Sequence, residues 1–150
     1  MEVAEPEACA ICEKHRGEGP LGGELVLEDE HFLAFHAPAS AEEPAYLGYL
    51  FVETRRHVAE LGDLTDEEAV ALGRLASRLS SALVRAGGAD HVYAAVINNR
   101  GRHFHLHLVG RHPGTPPEYW WTRVDDWPDA PRGDAEEVAR YCARLREALP

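Results

Sequence analysis

The most informative stretch of the chain reads His103-Phe104-His105-Leu106-His107-Leu108-Val109. Successive side chains of a β-strand point to opposite faces of the sheet. The alternation therefore predicts a strand with three histidines on one face and Phe104, Leu106 and Leu108 in a core. An imidazole can act as a nucleophile, a proton carrier or a metal ligand near neutral pH. A solvated or metal-scavenging face is the alternative, and a second motif favours a functional one.

The second motif is a Cys-x-x-Cys pair, Cys9-Ala10-Ile11-Cys12. Two thiolates at this spacing can share one tetrahedral zinc ion, which then needs two more ligands. We expect these ligands to be His57 and one histidine of the triad. A redox pair or a chance spacing is the alternative, but no thioredoxin-like βαβ pattern follows the motif. Cys142 lies in a helical pattern and is expected to be a buried apolar residue.

Both motifs resemble the histidine triad (HIT) family of nucleotide hydrolases and transferases, whose signature is His-φ-His-φ-His-φ-φ, where φ is apolar. Residues 103–109 match this signature at every position. Other segments are similar to the family in the same order along the chain. Residues 9–14 resemble the zinc knuckle of bacterial members, and residues 32–36 resemble the strand that cradles the nucleoside. Residues 48–58 resemble the strand with a basic-basic-His sequence, and residues 64–68 resemble the start of the long helix. The resemblance covers about residues 9–112.

The resemblance implies an α+β fold, in which an antiparallel sheet of about five strands packs with one long helix and one C-terminal helix. It predicts a single HIT-like domain over residues 1–150. Within it, residues 9–112 would form the core with the zinc knuckle and the triad. Residues 113–150 would form a Pro- and Trp-rich tail and the last helix.

The resemblance also implies roles for individual residues. The central His105, flanked by two histidines on its own face, would attack phosphorus and form a nucleotidyl-histidine intermediate. His107 would orient the reacting group or pass a proton to the leaving group. The expected structural zinc site comprises Cys9, Cys12, His57 and His103. The expected substrate-binding residues are Phe35, His36 and Asn98.

The predicted function is a nucleotidyl hydrolase or transferase that cleaves a nucleoside monophosphate ester, phosphoramidate or phosphoanhydride. A non-catalytic nucleotide-binding or regulatory domain and a zinc-stabilised interaction module stay open as alternatives. The chain departs from the family at two places. Ala37 stands where many members have an aspartate that binds the ribose hydroxyls, and only residues 98–102 stand in place of a phosphate loop containing Gly and Gln. These departures argue against the usual purine nucleotide substrate and leave the histidine chemistry intact.

Composition sets further limits. A chain of 150 residues, 45% of them hydrophobic, fits one domain with a sizeable core. The formal net charge of −11 argues against non-specific binding to nucleic acid or to an anionic membrane. A small anionic ligand stays compatible, because five arginines flank the predicted site segments: Arg55, Arg56, Arg100, Arg102 and Arg111. Solubility and ion pairing are the alternative role for each of them. Residues 1–8 hold no apolar run, which predicts no signal peptide and a reducing cytoplasmic location.

Hydrophobic patterns predict the remaining elements. A hairpin is expected at residues 24–28 and 31–36, a strand at 46–53, a central strand at 91–97 and a tight turn at 98–101. A helix is expected at 65–86, with a Thr65–Glu68 capping box and a left-handed end at Gly87-Gly88. A second amphipathic helix is expected at 134–149. Four histidines are expected at the surface or in turns: His15, His31, His91 and His112.

The tail, residues 112–133, contains five prolines and the three tryptophans Trp120, Trp121 and Trp127. Proline alone would predict a linker, but the tryptophans indicate docking against a surface. That surface is either the domain's own core or the pocket of a partner subunit. We expect a homodimer, which the resemblance implies and which would cover this apolar surface.

Overall fold

The computed structural model describes residues 8–99 and 102–149. Its centre is a five-stranded antiparallel sheet, whose strands in spatial order are β1 (Glu24–Glu28), β2 (Phe32–His36), β4 (Tyr49–Thr54), β6 (His105–Arg111) and β5 (His91–Ala95). A two-stranded sheet pairs β3 (Ala45–Tyr46) with β7 (Arg132–Gly133). The helices are α1 (Ala10–His15), α2 (Asp66–Arg85) and α3 (Ala135–Glu147). The predicted α+β class is confirmed.

The alternation of side chains gives the sheet two different faces. One face packs against α2 and α3 and forms the main core. Its buried side chains include Phe32, Ala34, Leu50, Val52 and Leu108 from the strands, Leu72, Leu75, Leu79 and Leu83 from α2, and Val138, Tyr141, Cys142 and Leu145 from α3. Cys142 is thus a core residue, as predicted. The opposite face carries the triad and is covered by α1 at one end and by the tail at the other.

The long helix α2 begins where the sequence predicts it, because the capping box forms. Thr65 Oγ1 accepts the N–H of Glu68 at 3.1 Å, and the Glu68 carboxylate accepts the N–H of Thr65 at 2.9 Å. Arg56 adds an ion pair at 2.6 Å, and this guanidinium is the main reason that the pKa of Glu68 is lowered to about 2. Just past the helix, Gly88 has a φ of +80°, which provides the predicted left-handed end.

The predicted strand at 46–53 is divided into β3 and β4 by a turn at Leu47 and Gly48. Gly48 has a φ of +97°, which favours glycine. A Cβ atom at this position would also lie 2.8 Å from the hydroxyl oxygen of Tyr141 in α3. The turn releases β3 from the main sheet, so that it pairs with β7 instead. The close approach of Tyr141 in α3 therefore requires glycine at position 48, and this glycine ends the predicted strand.

Two further strand predictions need correction. Within the described residues β5 pairs with β6 alone and is an edge strand, so for the single chain the prediction of a central strand is wrong. The apolar pattern indicates that the side chains of β5 can be buried on both faces of the sheet. It does not determine which strands lie beside β5. The triad strand β6 begins at His105 and not at His103, because the N–H of Phe104 donates to the Val58 carbonyl at 2.6 Å outside the sheet. The predicted turn at 98–101 includes residues 100 and 101, which lie outside the described residues.

The tail folds back on the chain's own sheet. It contains two short 3₁₀ segments, Pro117–Tyr119 and Trp121–Asp126. Val124 is buried in a second small core with Tyr46, Val109 and Ala130, and Trp127 packs against it. Trp120 and Trp121 stay 44% and 51% exposed. The tail therefore covers the domain's own core with one tryptophan and leaves two at the surface.

Two of the four histidines expected at the surface are in fact enclosed. His112 is buried, with Nε2 at 2.6 Å from the Leu47 carbonyl oxygen, and His15 packs beside Phe35. His31 is half-buried in the β1–β2 turn and His91 is exposed, as expected. Across residues 8–99 and 102–149, no helix is both long enough and apolar enough to cross a lipid bilayer.

Candidate active site and metal centre

Four side chains from three separate segments meet beside the triad strand. Cys9 and Cys12 come from the start of α1, His57 follows β4, and His103 precedes β6. Their ligand atoms all lie within 4.8 Å of one another. Cys9 Sγ and Cys12 Sγ are each 3.4 Å from His103 Nδ1, and Cys12 Sγ is 3.4 Å from His57 Nδ1. The structure thus brings together the four residues predicted from the sequence.

These distances suit a tetrahedral zinc ion. With bonds of about 2.3 Å to sulfur and about 2.0–2.1 Å to nitrogen, neighbouring S and N ligands are separated by about 3.6 Å. His103 Nε2 lies 2.6 Å from the Thr54 carbonyl oxygen, to which it donates, so Nδ1 faces the thiols with its lone pair. Burial lowers the pKa of His103 to about 4, which keeps this imidazole neutral at pH 7. Burial also raises the pKa of the Cys12 thiol to about 11, so a deprotonated ligand there requires a nearby cation.

The second and third histidines of the triad stand next to each other on the open face of the sheet. The ring centroids of His105 and His107 are 5.0 Å apart, and the ring of Phe51 contacts both. His105 Nδ1 lies 2.8 Å from the carbonyl oxygen of His103 and donates to it. This bond fixes the tautomer, so the Nε2 atom of His105 carries the free lone pair.

His107 is held in a different way. Its Nδ1 atom lies 2.9 Å from the hydroxyl oxygen of Tyr49. Its Nε2 atom is buried and has no hydrogen-bond partner among the residues that the structure describes. Burial, followed by the neighbouring His105, lowers the pKa of His107 to about 4. Burial also raises the pKa of Tyr49, so its hydroxyl keeps the proton that it can donate to Nδ1. In that arrangement Nε2 of His107 carries a hydrogen.

A cleft of about 590 Å³ opens beside the triad. His103, His105 and Arg102 line one side, and Lys14 and Glu53 line another. Most of the remaining wall is apolar and includes Ile11, Pro20, Leu21, Pro38 and Phe51. A second, much smaller pocket of about 20 Å³ lies beside His107 and is lined by Tyr49, Tyr93 and Trp121. His105 thus faces the larger cleft and His107 the smaller cavity.

The three residues predicted to bind substrate are not equally placed for it. His36 is fully buried: its Nδ1 lies 2.7 Å from the Ala37 carbonyl, and its Nε2 accepts the N–H of Gly48 at 3.0 Å. Both nitrogens are therefore occupied by backbone, and the prediction that His36 contacts a ligand needs correction. Asn98 donates to the Ala59 carbonyl at 2.9 Å and keeps a buried Oδ1 without a partner in the described part of the chain.

Phe35 is covered by the chain itself. The ammonium of Lys14 lies 4.2 Å from the centroid of its ring, and the ring of His15 stacks against it at 6.1 Å. Both covering residues bond to Glu53, with distances of 2.7 Å from Lys14 Nζ and 2.9 Å from His15 Nε2. Lys14, His15 and Glu53 were not among the predicted site residues. One signal was available, since a carboxylate on a buried strand requires charged or polar partners.

The arginines near the site separate into two groups. Arg55, Arg56 and Arg111 form ion pairs with Glu28, Glu68 and Asp90, respectively. Arg102 lines the cleft, and Arg100 lies outside the described residues. Most of the flanking arginines that the structure describes therefore serve ion pairing, which was the alternative role expected for them.

The family model described as the HIT domain matches residues 21–114. The chain belongs to the HIT domain family. Comparison with curated proteins finds no match. The match starts after Cys9 and Cys12, so these two cysteines and α1 of this HIT protein lie outside the part that the family model covers.

Solved structures agree with this HIT assignment. A zinc-bound histidine triad family protein from Mycobacterium smegmatis has 22% identity and a TM-score of 0.67, over 97% of this chain and 95% of that chain. A Hit-like protein involved in cell-cycle regulation from Bartonella henselae, solved with an unknown ligand, has 19% identity and a TM-score of 0.69, over 97% and 100%. A hypothetical histidine triad nucleotide-binding protein from Sulfolobus tokodaii has 20% identity and a TM-score of 0.65, over 90% and 87%. At these identities the likeness shows the HIT fold.

Proposed function

We propose that this HIT protein is a nucleotidyl hydrolase or transferase with His105 as its nucleophile. The observation that carries the proposal is the bond from His105 Nδ1 to the His103 carbonyl, which leaves Nε2 unprotonated beside the cleft. In the first step, Nε2 attacks the phosphorus of a nucleoside monophosphate ester, phosphoramidate or phosphoanhydride. An N–P bond forms as the bond to the leaving group breaks, and the electron pair stays with the leaving group.

His107 is proposed to orient the reacting group in this step. The Tyr49 hydroxyl can donate to Nδ1, which places the hydrogen of the neutral His107 ring on Nε2, on the same strand face as His105. That N–H donates a hydrogen bond to a phosphoryl oxygen and stabilises the charge that develops there, while the leaving group takes its proton from solvent and the water or acceptor that attacks next returns one to solvent. This second attack breaks the N–P bond and releases the nucleotide. Water as the acceptor gives hydrolysis, and another nucleophile gives transfer.

The proposal includes a structural zinc ion held by Cys9, Cys12, His57 and His103. Four protein ligands complete a tetrahedral shell, so the site offers no open position for substrate. The ligands tie α1 to the segment that precedes β6, and this fixes the carbonyl that orients His105. Free thiols at such a site favour a reducing compartment, so we propose a cytoplasmic location for the protein. The proposed partners are a nucleotide-like small molecule and a second copy of the chain.

The test is a covalent adduct at His105. Zinc-loaded protein is mixed with a panel of nucleoside phosphoramidates and dinucleoside polyphosphates, quenched rapidly and analysed by intact-protein mass spectrometry. The proposal expects the mass of one nucleotidyl group on the wild type, mapped to the peptide that contains His105, and none on His105→Ala. Nucleotide binding without an adduct or turnover would instead support a regulatory binding domain. If the protein neither binds a nucleotide nor forms an adduct, the remaining interpretation is a zinc-stabilised interaction module.

A further inference from the structure

A buried ion pair lies in the wall of the cleft, beside the proposed nucleophile. Lys14 Nζ is 2.7 Å from Glu53 Oε2, and the two side chains are only 8% and 3% exposed. Glu53 pairs with His105 in the register of β4 and β6, so the carboxylate stands on the strand next to the nucleophile. Directly opposed residues on adjacent antiparallel strands have Cα atoms about 4.5–5.5 Å apart. The pair is therefore within reach of any group bound at His105.

Stability alone does not account for this pair. Removing two charges from water costs several kcal/mol for each ion, and apolar residues of similar size often replace such pairs without loss. The surrounding wall is already apolar, with Ile11, Leu21 and Phe51 around it. The cysteine cluster at the start of α1 also provides another connection between this helix and the sheet. An ion pair in this position thus requires a reason other than packing.

The hydrogen bonds of the pair indicate that reason. Both carboxylate oxygens of Glu53 have partners, Lys14 on one and His15 on the other. A lysine ammonium has three donors. Within the described part of the chain, Lys14 donates to Glu53 only and otherwise contacts the face of the Phe35 ring. Lys14 lines the cleft, so its remaining donors are available to a ligand there.

We propose that Lys14 is a specificity-determining residue that donates a hydrogen bond to a carbonyl oxygen on the nucleobase. Glu53 and His15 are positioning residues that hold Lys14 in the cleft. The inference rests on the proposed function, because it concerns the organic group attached to the phosphorus that His105 attacks. Lys14 and His15 cover Phe35, so the base is recognised by this hydrogen bond and not by stacking on that ring.

This arrangement selects among bases by their hydrogen-bonding groups. Guanine presents O6 and N7 as adjacent acceptors, and uracil presents carbonyl oxygens. Adenine carries an amino group in place of O6. The hydrogens of this amino group would face the hydrogens of the Lys14 ammonium, so the two groups form no hydrogen bond. A binding site discriminates strongly against a ligand that leaves a buried polar group of the site without a hydrogen-bond partner. The expected substrates are thus nucleotides with a carbonyl-bearing base, and adenine nucleotides are disfavoured.

The experiment measures binding of GMP, UMP and AMP to the zinc-loaded protein by calorimetry. The wild type is expected to bind GMP or UMP at least tenfold more tightly than AMP. The main variant is the double substitution Lys14→Met with Glu53→Leu, which removes both charges and leaves neither unpaired. It is expected to keep its fold and its zinc content while the ratio of affinities falls to near one. Lys14→Arg, which keeps the positive charge, is expected to retain part of the preference.

Arg16→Met is the matched control, because Arg16 follows α1 and pairs with Glu18 at the surface. It is expected to leave the preference unchanged. Equal binding of the three nucleotides by the wild type, or an unchanged preference in the double variant, would overturn the role of Lys14. Neither result affects the adduct at His105, which tests the proposed function separately. A wild type that binds none of the three nucleotides and forms no adduct would refute both proposals.

Discussion

The Nδ1 atom of His105 lies 2.8 Å from the main-chain carbonyl oxygen of His103. The same His103 directs its own Nδ1 at the thiols of Cys9 and Cys12. One residue therefore belongs to the proposed zinc site through its side chain and orients the proposed nucleophile through its backbone. The two functions are separable, because a substitution can remove a side chain and leave the carbonyl in the chain.

The first prediction contrasts two substitutions on this segment. His105→Ala is expected to lower turnover by on the order of 10⁴-fold or more, with normal zinc content and thermal stability, because it removes only the nucleophile. His103→Ala is expected to lose zinc and stability, because metal binding and folding are coupled. Steady-state kinetics, metal analysis and thermal unfolding measure the contrast. Near-normal turnover in His105→Ala would exclude this residue as the nucleophile.

The second prediction concerns the metal. The purified protein is expected to contain one zinc ion per chain, and Cys9→Ser is expected to lower this content strongly. Cys142→Ser is the matched control, since this cysteine is buried between α3 and the sheet and is outside the cluster. It is expected to reduce stability and retain zinc. Equal zinc loss in the two variants, or no metal in the wild type, would contradict the assigned ligands.

The third prediction tests the support of His107 by Tyr49. Tyr49→Phe removes the hydroxyl that bonds to Nδ1, which frees the ring to adopt the other tautomer. Removing one hydrogen-bond donor aimed at developing charge costs about 10²–10³-fold, and we expect loss of the tautomer preference to lower kcat by about tenfold to hundredfold. A nitrophenyl ester should show a similar loss, because the hydrogen bond is made to the phosphoryl oxygen and not to the leaving group. Tyr46→Phe is the control, because its hydroxyl donates to the Gly110 carbonyl away from the triad. A loss confined to poor leaving groups would contradict this role, because it would indicate a defect in leaving-group protonation.

The fourth prediction is a pH dependence of stability. Burial lowers the pKa of His107 from 6.5 to about 4, so the unfolded chain binds a proton below pH 6.5 that the folded chain excludes. The contribution of neutral His107 to the free energy of unfolding is thus fully present above pH 6.5 and falls as the pH decreases toward 4. His107→Gln is expected to lose less stability than the wild type between pH 6.5 and 4.5 in urea unfolding. Parallel curves for the two proteins would show that His107 is not held neutral.

The fifth prediction is a homodimer in solution. β5 presents an unpaired edge within the described chain, and the exposed side chain of Val96 follows it. Unpaired edges are ready sites for strand pairing. Light scattering at micromolar concentration is expected to give the mass of two chains, and Val96→Arg is expected to reduce it toward one. Val70→Arg, at an exposed position on α2, is the control and should stay dimeric. A monomeric wild type would refute the prediction.

Local patterns predicted most of the helices and strands, and the resemblance to the HIT family implied the sheet architecture and the proposed zinc ligands. The His-φ repeat identified the face of β6, and the Thr65–Glu68 pair located the start of α2. The spacing of Cys9 and Cys12 indicated a shared metal ion, and the resemblance to the HIT family implied His57 and His103 as the other ligands. Where a local pattern was enough, the relevant interaction joins residues close in sequence, or the chemistry of the side chain leaves few alternatives.

The features that escaped prediction depend on contacts between distant segments. His36 lies in the segment that resembles the nucleoside-binding strand, but the N–H of Gly48 occupies its second ring nitrogen. The partners of Glu53 lie on α1, which the strand pattern of β4 could not reveal. The position of β5 at the sheet edge depends on which strands pair, and its own apolar residues did not determine that pairing.

The six-residue helix α1 carries Cys12 on one side and Lys14 two positions later. Each residue of an α-helix advances the side-chain direction by about 100°. Inserting one residue after Cys12 would leave the cysteine spacing intact and turn Lys14 away from Glu53 by roughly that angle. Such an insertion would keep the metal ligands and abolish the ion pair. The length of this short segment is therefore as constrained as its composition. A chain with the same two cysteines but a different spacing between Cys12 and the lysine would place other side chains in the wall of the cleft.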